Sequence, residues 1–478
     1  MRGAGGANRA LVLDLGGGSA RAMLAECGEG GAIALTELHR FSGYETRVVD
    51  GPAWDLDALF GGVEAGLAAA AAAGRIGSIG VDGWGVDFAL LGADGRPLET
   101  PRTHRHPRGL DGFEALRAHH ELIAARTGAQ PLPIVSVFHL VDWARCNRDA
   151  AAGVRQFLMI ADLVAHHLTG VAACERTLAR TAGLVDLATG DWDREILALT
   201  GLPAAAFGRL VPAGTILGPL APELAARTGL GPVPVIAVAA HDTASAALAL
   251  APGDDEAFLV AGSWNLVGAE VPDGAISTQA RAAGFGLEGG VEGRGLLLRS
   301  LPGMHLLRRL RAAWARRHGA DIDFPRWSAL ALAAPPAALV PDLSRTAFLD
   351  PPDLLAALHA ECPGLSQDEP GPLARALYEG LGREVAGALD TLETCLGRRF
   401  CAVRLGGGGA QDAAFCTLVA SAARRPVLAG PVEASALGNA LVQFAALGRF
   451  PSIEAGRRAL AARLPIRRFE PAPEEHLA

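Results

Sequence analysis

Short apolar runs that end in glycine alternate along this chain with longer stretches of helical spacing. "ALVLDLGGG" (10–18) predicts a strand running into a glycine turn, and "ARAMLAEC" (20–27) its hairpin partner. "WDLDALFGGVEAGLAAAAAAGR" (54–75) predicts a helix, strengthened by the alanine run 68–73. "IGSIGVDGWGVDFALLGADGRPL" (76–98) returns to strand, with a turn at Asp94-Gly95. Helical patterns fill 110–200, interrupted by Pro131, Pro133 and the turn "TGDWD" (189–193). Strand "VPVIAVAA" (233–240) then leads into "HDTASAALAL", where two polar residues, His241 and Asp242, sit at the seam between a buried strand and a small-residue helix. An unpaired carboxylate is costly to bury there, so Asp242 needs a reason.

The second half resembles the first. "LVLDLGGGSARAML" (11–24) and "FLVAGSWNLVGAEV" (258–271) share the order apolar strand, small-residue turn, apolar return strand. A long amphipathic helix follows at 373–397, then a strand–glycine–helix transition at 401–415, then strand, turn and small-residue helix at 425–448. The expected division is an N-terminal lobe 1–246, a C-terminal lobe 247–455 and a tail 456–478. A duplicated α/β chain of this kind resembles the sugar kinase–actin–Hsp70 architecture, the two-lobed actin-like or ribonuclease H-like ATPase fold.

Composition narrows the chemistry. Half the 478 residues are hydrophobic and a fifth charged, the balance of a globular chain with enough apolar material for more than one core. A net charge of −8 argues against nucleic acid or an anionic membrane as the main partner. No apolar stretch is read as approaching the roughly 18 residues of a membrane span. The first residues break into glycines before a signal-like core develops, so a cytoplasmic location is expected. The seven cysteines form no CxxC pair, which favours buried free thiols over a disulfide framework or zinc site. The chain has no lysine: all 43 basic side chains are arginine. This excludes a P-loop lysine, the protein-kinase strand lysine and Schiff-base chemistry. Any phosphate must be met by backbone N–H groups, a metal or arginine.

Four stretches carry candidate chemistry. In "DLGGGSAR" the glycines 16–18 let the backbone approach an anion, and Asp14 at the strand end could hold Mg²⁺ through water. The spacing fails the GxGxxG test of a dinucleotide fold, because another strand follows. "RLGGGGAQD" (404–412) sets glycines at the head of a helix, suited to a phosphate or nucleotide edge. "GPVEASALGN" (430–439) offers small residues for close approach near a ligand, or simply a tight helix contact. In "VDGWGVDFALL" (81–91), Trp84 lies between glycines and suits stacking on a sugar face, although tryptophans are more often packed. The basic helix "RRLRAAWARRHG" (308–319) reads as a solvated face.

Together these stretches resemble the FGGY-type carbohydrate kinases, and within them the rhamnulokinases, over about residues 9–450. "HRF" (39–41), "WDLDALF" (54–60), "SIGVDGWGVDFALL" (78–91), "VPVIAVAAHDTASA" (233–246) and "AGPVEASALGN" (429–439) carry the likeness. The resemblance implies ATP- and Mg²⁺-dependent phosphoryl transfer to a ketose hydroxyl, with L-rhamnulose to its 1-phosphate as the first expectation. L-Fuculose, L-xylulose and a non-catalytic ATP- and sugar-binding sensor are the alternatives. It implies Asp242 as general base, with His241, Thr243, Ser300 and the backbone of Gly85 at the sugar, beside Trp84 from the reading of its own stretch. Gly17, Gly18, Ser19, Ala20, Arg21, Ser263, Arg308 and Gly408 would meet ATP, and Asp14 the metal. Four positions depart from the rhamnulokinase pattern: Ser263 stands for threonine, Ser300 for asparagine, Arg308 for glutamine and Asp412 for asparagine. Losing an amide beside the sugar changes which hydroxyls are favoured, so the identity of the sugar is left open.

Overall fold

A computed structural model describes residues 8–349 and 351–472. The glycine-rich start (1–7) and the end of the expected tail (473–478) lie outside the described residues. The chain forms two compact units, interleaved in sequence. The first contains the residues up to Ala249 together with 271–297 and 435–463; the second contains 250–270, 298–434 and the residues from Leu464.

In the first unit, β1 (Arg9–Leu15) is buried at every residue from Ala10 to Leu15, because both its edges and both its faces are covered. It pairs antiparallel with β2 (Ser19–Cys27), which pairs in turn with β3 (Ile33–Ser42). On its other edge β1 runs parallel to β4 (Ser78–Gly83). Beyond the later strands β5 (Ile216–Pro219) and β6 (Pro234–Ile236), the sheet order is β5-β6-β4-β1-β2-β3. Helix α1 (Leu56–Ala73) covers one face, capped by the Asp55 carboxylate accepting from the Ala58 N–H at 3.0 Å. Leu59, Val63, Gly66, Leu67 and Ala70 form its buried stripe. Gly66 is required by contact: a Cβ there would lie 2.6 Å from that of Ala22. Contrary to the reading that no stretch approaches a membrane span, α1 is long and apolar enough to cross one. Its hydropathy comes from alanines, and its leucine and valine face is packed on the sheet.

Three sequence expectations change here. The strand predicted over 76–98 is broken into β4 and Phe88–Leu91 by a turn at 84–87, where Val86 adopts φ 65°. The helical region 110–200 also contains a strand, Gln156–Met159, paired antiparallel with Phe88–Leu91. Strand β6 stops at Ile236, short of the predicted Ala240, because two extra residues break its register with β4: Val235 and Ile236 pair with Ile79 and Gly80, and pairing resumes only as a bridge between Gly83 and His241. Helix α2 (Asp242–Leu250) follows directly.

The second unit repeats the pattern. Strand β7 (Glu256–Ala261) pairs antiparallel with β8 (Trp264–Pro272), and β9 (Arg294–Pro302) lies along β8. Helices α3 (His305–His318) and α4 (Pro370–Leu396) come next. Strand β10 (Ala402–Gly406) runs parallel to β7, as β4 does to β1. Helix α5 (Ala413–Ala423), β11 (Val427–Ala429) and an antiparallel edge strand β12 (Arg467–Phe469) complete it. Each unit thus has a central strand with an antiparallel hairpin on one side, parallel strands on the other and an antiparallel far edge. The stretch expected as a tail includes the end of a helix, Ile453–Ala461, and β12, held because Val427 to Ala429 offer an open ladder edge. Helix α6 (Ala434–Ala446) packs in the first unit. All seven cysteines are free; Cys146 and Cys401 are exposed, against the expectation that they are buried.

Candidate active site

Parallel pairing places Asp14 of β1 in register with Asp82 of β4, so two carboxylates sit side by side at the strand ends. Arg21, opposite Asp14 in the hairpin, forms an ion pair with its Oδ2. Asp82 is fully buried. Its Oδ1 accepts from the Asn439 amide at 2.5 Å, and its Oδ2 has no hydrogen-bond partner among the described residues. Burial first, and then the neighbouring Asp14 and Asp242 charges, hold the Asp82 carboxyl well above the usual carboxylate range.

The chain after β6 reaches the same strand ends. The Gly83 N–H donates to the Ala240 carbonyl at 2.8 Å, and His241 bridges to Gly83 in parallel sense. Glu175 fixes this segment. Its Oε2 accepts from the N–H groups of Thr177 (2.9 Å), Leu178 (3.2 Å) and Ala240 (3.0 Å), and from the Thr177 hydroxyl (2.5 Å). Thr177 Oγ1 in turn accepts the His241 N–H at 3.2 Å. Asp242 therefore opens α2 from a clamped position, with Thr243 Oγ1 donating to its Oδ1 at 3.2 Å. Although deep in the protein, its side chain is 35% exposed, so the carboxylate is open on one side. Burial raises its pKa; the His241 ring opposes this, Asp14 adds to it, and hydrogen bonds from Thr243 oppose it. The net direction is upward, towards a stronger base.

The same segment also holds the turn at 84–87. The Val86 N–H donates to Thr181 Oγ1 at 2.9 Å, and Ser136 donates to the Val86 carbonyl at 2.5 Å. A left-handed valine is strained backbone, of the kind that persists where surrounding structure over-determines it. Gly85 packs against Thr181, where an added Cβ would meet the side chain at 3.0 Å. Trp84 is nearly buried and spends its faces on protein: it stacks on Tyr44 at 6.1 Å and tilts against Trp54 at 4.6 Å. Its indole N–H and that of Trp54 both donate to Asp87 Oδ2, at 2.7 and 2.8 Å. The packed reading of Trp84 accounts for most of its surface.

The first glycine turn divides its roles. Gly16 is structural, since a Cβ would lie 2.7 Å from the Ser19 carbonyl, and the Tyr44 hydroxyl donates to the Gly16 carbonyl. Gly17 and Gly18 are exposed with open space at their Cβ positions, beside exposed Ser19; Ala20 is buried in β2. In the second unit, Ser263 at the β7–β8 turn accepts from Arg308 Nη2 at 2.6 Å, joining two residues expected at ATP. The turn is tied to the start of α3 by the Met304 N–H to the Gly262 carbonyl at 3.0 Å. Of the second glycine run, Gly407 and Gly409 are forced by their approach to Ala261, whereas Gly408 has open space. Ser300 lies exposed on β9. Asp412 points inward: it caps α5 through the Phe415 N–H at 3.1 Å and accepts from Ser328 at 2.7 Å and from Tyr378.

Residues 9–249 match the N-terminal domain of the FGGY family of carbohydrate kinases, and residues 257–447 match its C-terminal domain. The chain belongs to that family. It is 34% identical over 449 residues to a rhamnulokinase of Bacteroides thetaiotaomicron, covering 92% of this chain and 91% of that one. A ligand-bound xylulose kinase from Lactobacillus acidophilus superposes with a TM-score of 0.81 at 17% identity, covering 98% of this chain and 95% of that one. A Plasmodium falciparum glycerol kinase with ADP gives 0.78 at 15% identity, with the same coverages. The fold is thus the two-domain actin-like ATPase fold of these sugar kinases. The protein is a phosphotransferase whose substrates are ATP and a sugar.

Several residues that shape this kinase's site carry no local signal in the sequence. Glu175 and Thr181 lie in "CERTLART", which has no recognisable signature, and Asp82, although inside the "SIGVDGWGVDFALL" stretch, is not singled out there. Asn439 stands in the "GPVEASALGN" string, but nothing there shows its partner. Among the described residues no group of three or more metal-ligating side chains is present. Mg²⁺ would not need such a group, being commonly held by phosphates, water and one or two carboxylates. The crowded carboxylates and the unpartnered Asp82 Oδ2 would suit a nearby cation, and Asp14, at the strand end beside the open glycine turn and paired with Arg21, would be the residue to hold it.

Proposed function

We propose that this kinase phosphorylates a ketose hydroxyl, L-rhamnulose at its 1-hydroxyl being the first choice, with Asp242 as the general base. The observation that carries this reading is the state of Asp242: a carboxylate clamped at the start of α2, open on one side and raised in basicity by burial. In the proposed step the sugar hydroxyl oxygen attacks the γ-phosphorus of ATP, the bond to the ADP oxygen breaks, and Asp242 takes the hydroxyl proton. His241, Thr243 and the backbone at Gly85 orient the sugar, with Trp84 behind them and Ser300 as a further contact. Backbone groups of Gly17 to Arg21, with Ser263, Arg308 and Gly408, receive ATP in place of a lysine. Mg²⁺, held through Asp14, would neutralise phosphate charge.

The choice of L-rhamnulose rests on the 34% identity to a rhamnulokinase. L-Fuculose and L-xylulose are the sister substrates to test beside it. Asp242→Asn should abolish ketose-dependent ADP formation while leaving the protein folded; unchanged turnover would remove Asp242 as the base. A panel of ketoses in a coupled ADP assay identifies the sugar, and stimulation by none of them would favour the sensor reading.

A further inference from the structure

We propose that Glu288 is a positioning residue for Asp242, acting through His241 and completing a Glu288–His241–Asp242 line in the first unit. What Asp242 does in that line rests on the kinase reading above. The His241 ring is nearly buried, and both its nitrogens face carboxylates: Nδ1 lies 3.2 Å from Glu288 Oε2 and Nε2 lies 3.5 Å from Asp242 Oδ1. A neutral imidazole has one N–H and can serve only one of them; the imidazolium serves both. His241 Nδ1 and Glu288 Oε2 make no aligned hydrogen bond with each other or with any other described residue, so charge at 3.2 Å is what joins them.

Glu288 comes from a strand, Gly286–Gly289, distant in sequence but tightly fixed. The Leu287 N–H donates to the Gly128 carbonyl at 2.9 Å, and Arg180 donates to the Leu287 carbonyl at 3.1 Å while pairing with Asp273 at 2.9 Å. Gly289 lies against Thr177, where a Cβ would be 2.9 Å from the Thr177 Cα. Glu288 is therefore anchored to the segment that clamps His241. The charged groups acting on the ring are Glu288 from that strand and Asp242 from α2, joined by Glu175 from the clamp once it loses its own proton near pH 7. Burial works against the imidazolium, but these carboxylates outweigh it and hold His241 above its ordinary pKa. A cationic ring keeps Asp242 ionised and in one orientation, against the burial and the Asp14 charge that push its proton affinity up.

The test is Glu288→Gln, which keeps the shape and removes the charge. In substrate-free, ¹⁵N-histidine-labelled protein, the His241 titration midpoint should fall; the signal is assigned by its loss in His241→Gln. In the ketose assay kcat near pH 7 should fall about tenfold with the sugar KM within about twofold, and the acid limb of the kcat profile should move to higher pH. Glu288→Asp, which keeps the charge, should return the midpoint towards the parent's. An unchanged midpoint in Glu288→Gln overturns the proposal, as does a parent midpoint below that of free histidine, which needs no variant to fold. If the parent turns over no ketose, the kinase reading fails, while the midpoints still decide the Glu288–His241 pair.

Discussion

Asn439 donates its side-chain amide to Asp82 Oδ1 at 2.5 Å, joining α6 to the buried end of β4 across 357 positions of sequence. The bond continues as a chain. Gln443 donates to Asn439 Oδ1 at 2.7 Å and accepts from the Ser78 hydroxyl at 2.7 Å. Asn439→Ala strips the only hydrogen bond that the described residues give this fully buried carboxyl group and should cost about 2–3 kcal/mol. Urea unfolding should show a lower midpoint with an unchanged slope. Ser78→Ala, at the far end of the chain, should cost about 1 kcal/mol. Equal costs for the two would argue that Asp82 does not depend on Asn439.

Gly438, the neighbour of Asn439, decides how closely α6 approaches α2. A Cβ there would lie 1.8 Å from the Ser245 carbonyl oxygen, on the helix that Asp242 opens. Gly438→Ala cannot be absorbed by a side-chain rotation and should cost about 2–4 kcal/mol. Because the displacement falls on α2, turnover should drop along with the melting temperature. A variant with parental stability and kcat would show that the helices separate freely.

Glu175 ties stability to pH. Burial lifts its carboxyl to about 7, against the donors of Thr177, Ala240 and Leu178 that lower it. The folded state therefore keeps this proton between roughly pH 4.5 and 7 while the unfolded chain has lost it. Stability from this group is complete at acid pH and is lost as pH rises through that window, by about 3 kcal/mol in all. Glu175→Gln cannot titrate, so its melting temperature should decline less from pH 5 to pH 7 than the parent's. Parallel declines would place the proton elsewhere.

Arg308 and Ser263 share one hydrogen bond, so the roles at ATP proposed for them should not be independent. Arg308→Ala and Ser263→Ala should each raise the KM for ATP about three- to tenfold, and the double variant should fall short of the product of the two. The sugar KM should hold. A purely multiplicative double variant would mean that the pair does not act as a unit.

Much of the fold and part of the site are legible in the chain itself. The apolar runs that end in glycine identify both hairpins, because a strand buried on two faces has to be continuously apolar. The absence of lysine points phosphate contacts towards backbone and arginine. "AHDTASA" marks Asp242 by contrast, as a charge in a run that should not hold one. The plain helix-contact reading of "GPVEASALGN" has its atoms in Gly438 against Ser245.

What the tertiary structure decided is which groups surround those residues. Asp14 and Asp82 become neighbours through parallel strand register, Glu175 and Glu288 reach the site from segments with no local signature, and Asn439 finds in Asp82 a partner that its own string does not show. The glycines separate only when their surroundings are known, Gly407 and Gly409 being filled by Ala261 and Gly408 left open. Local pattern follows burial and backbone geometry, which act over a few residues and are written in order along the chain. Charge and hydrogen-bond partners act through space, so the clamp and the carboxylates around Asp242 exist only after distant segments have packed.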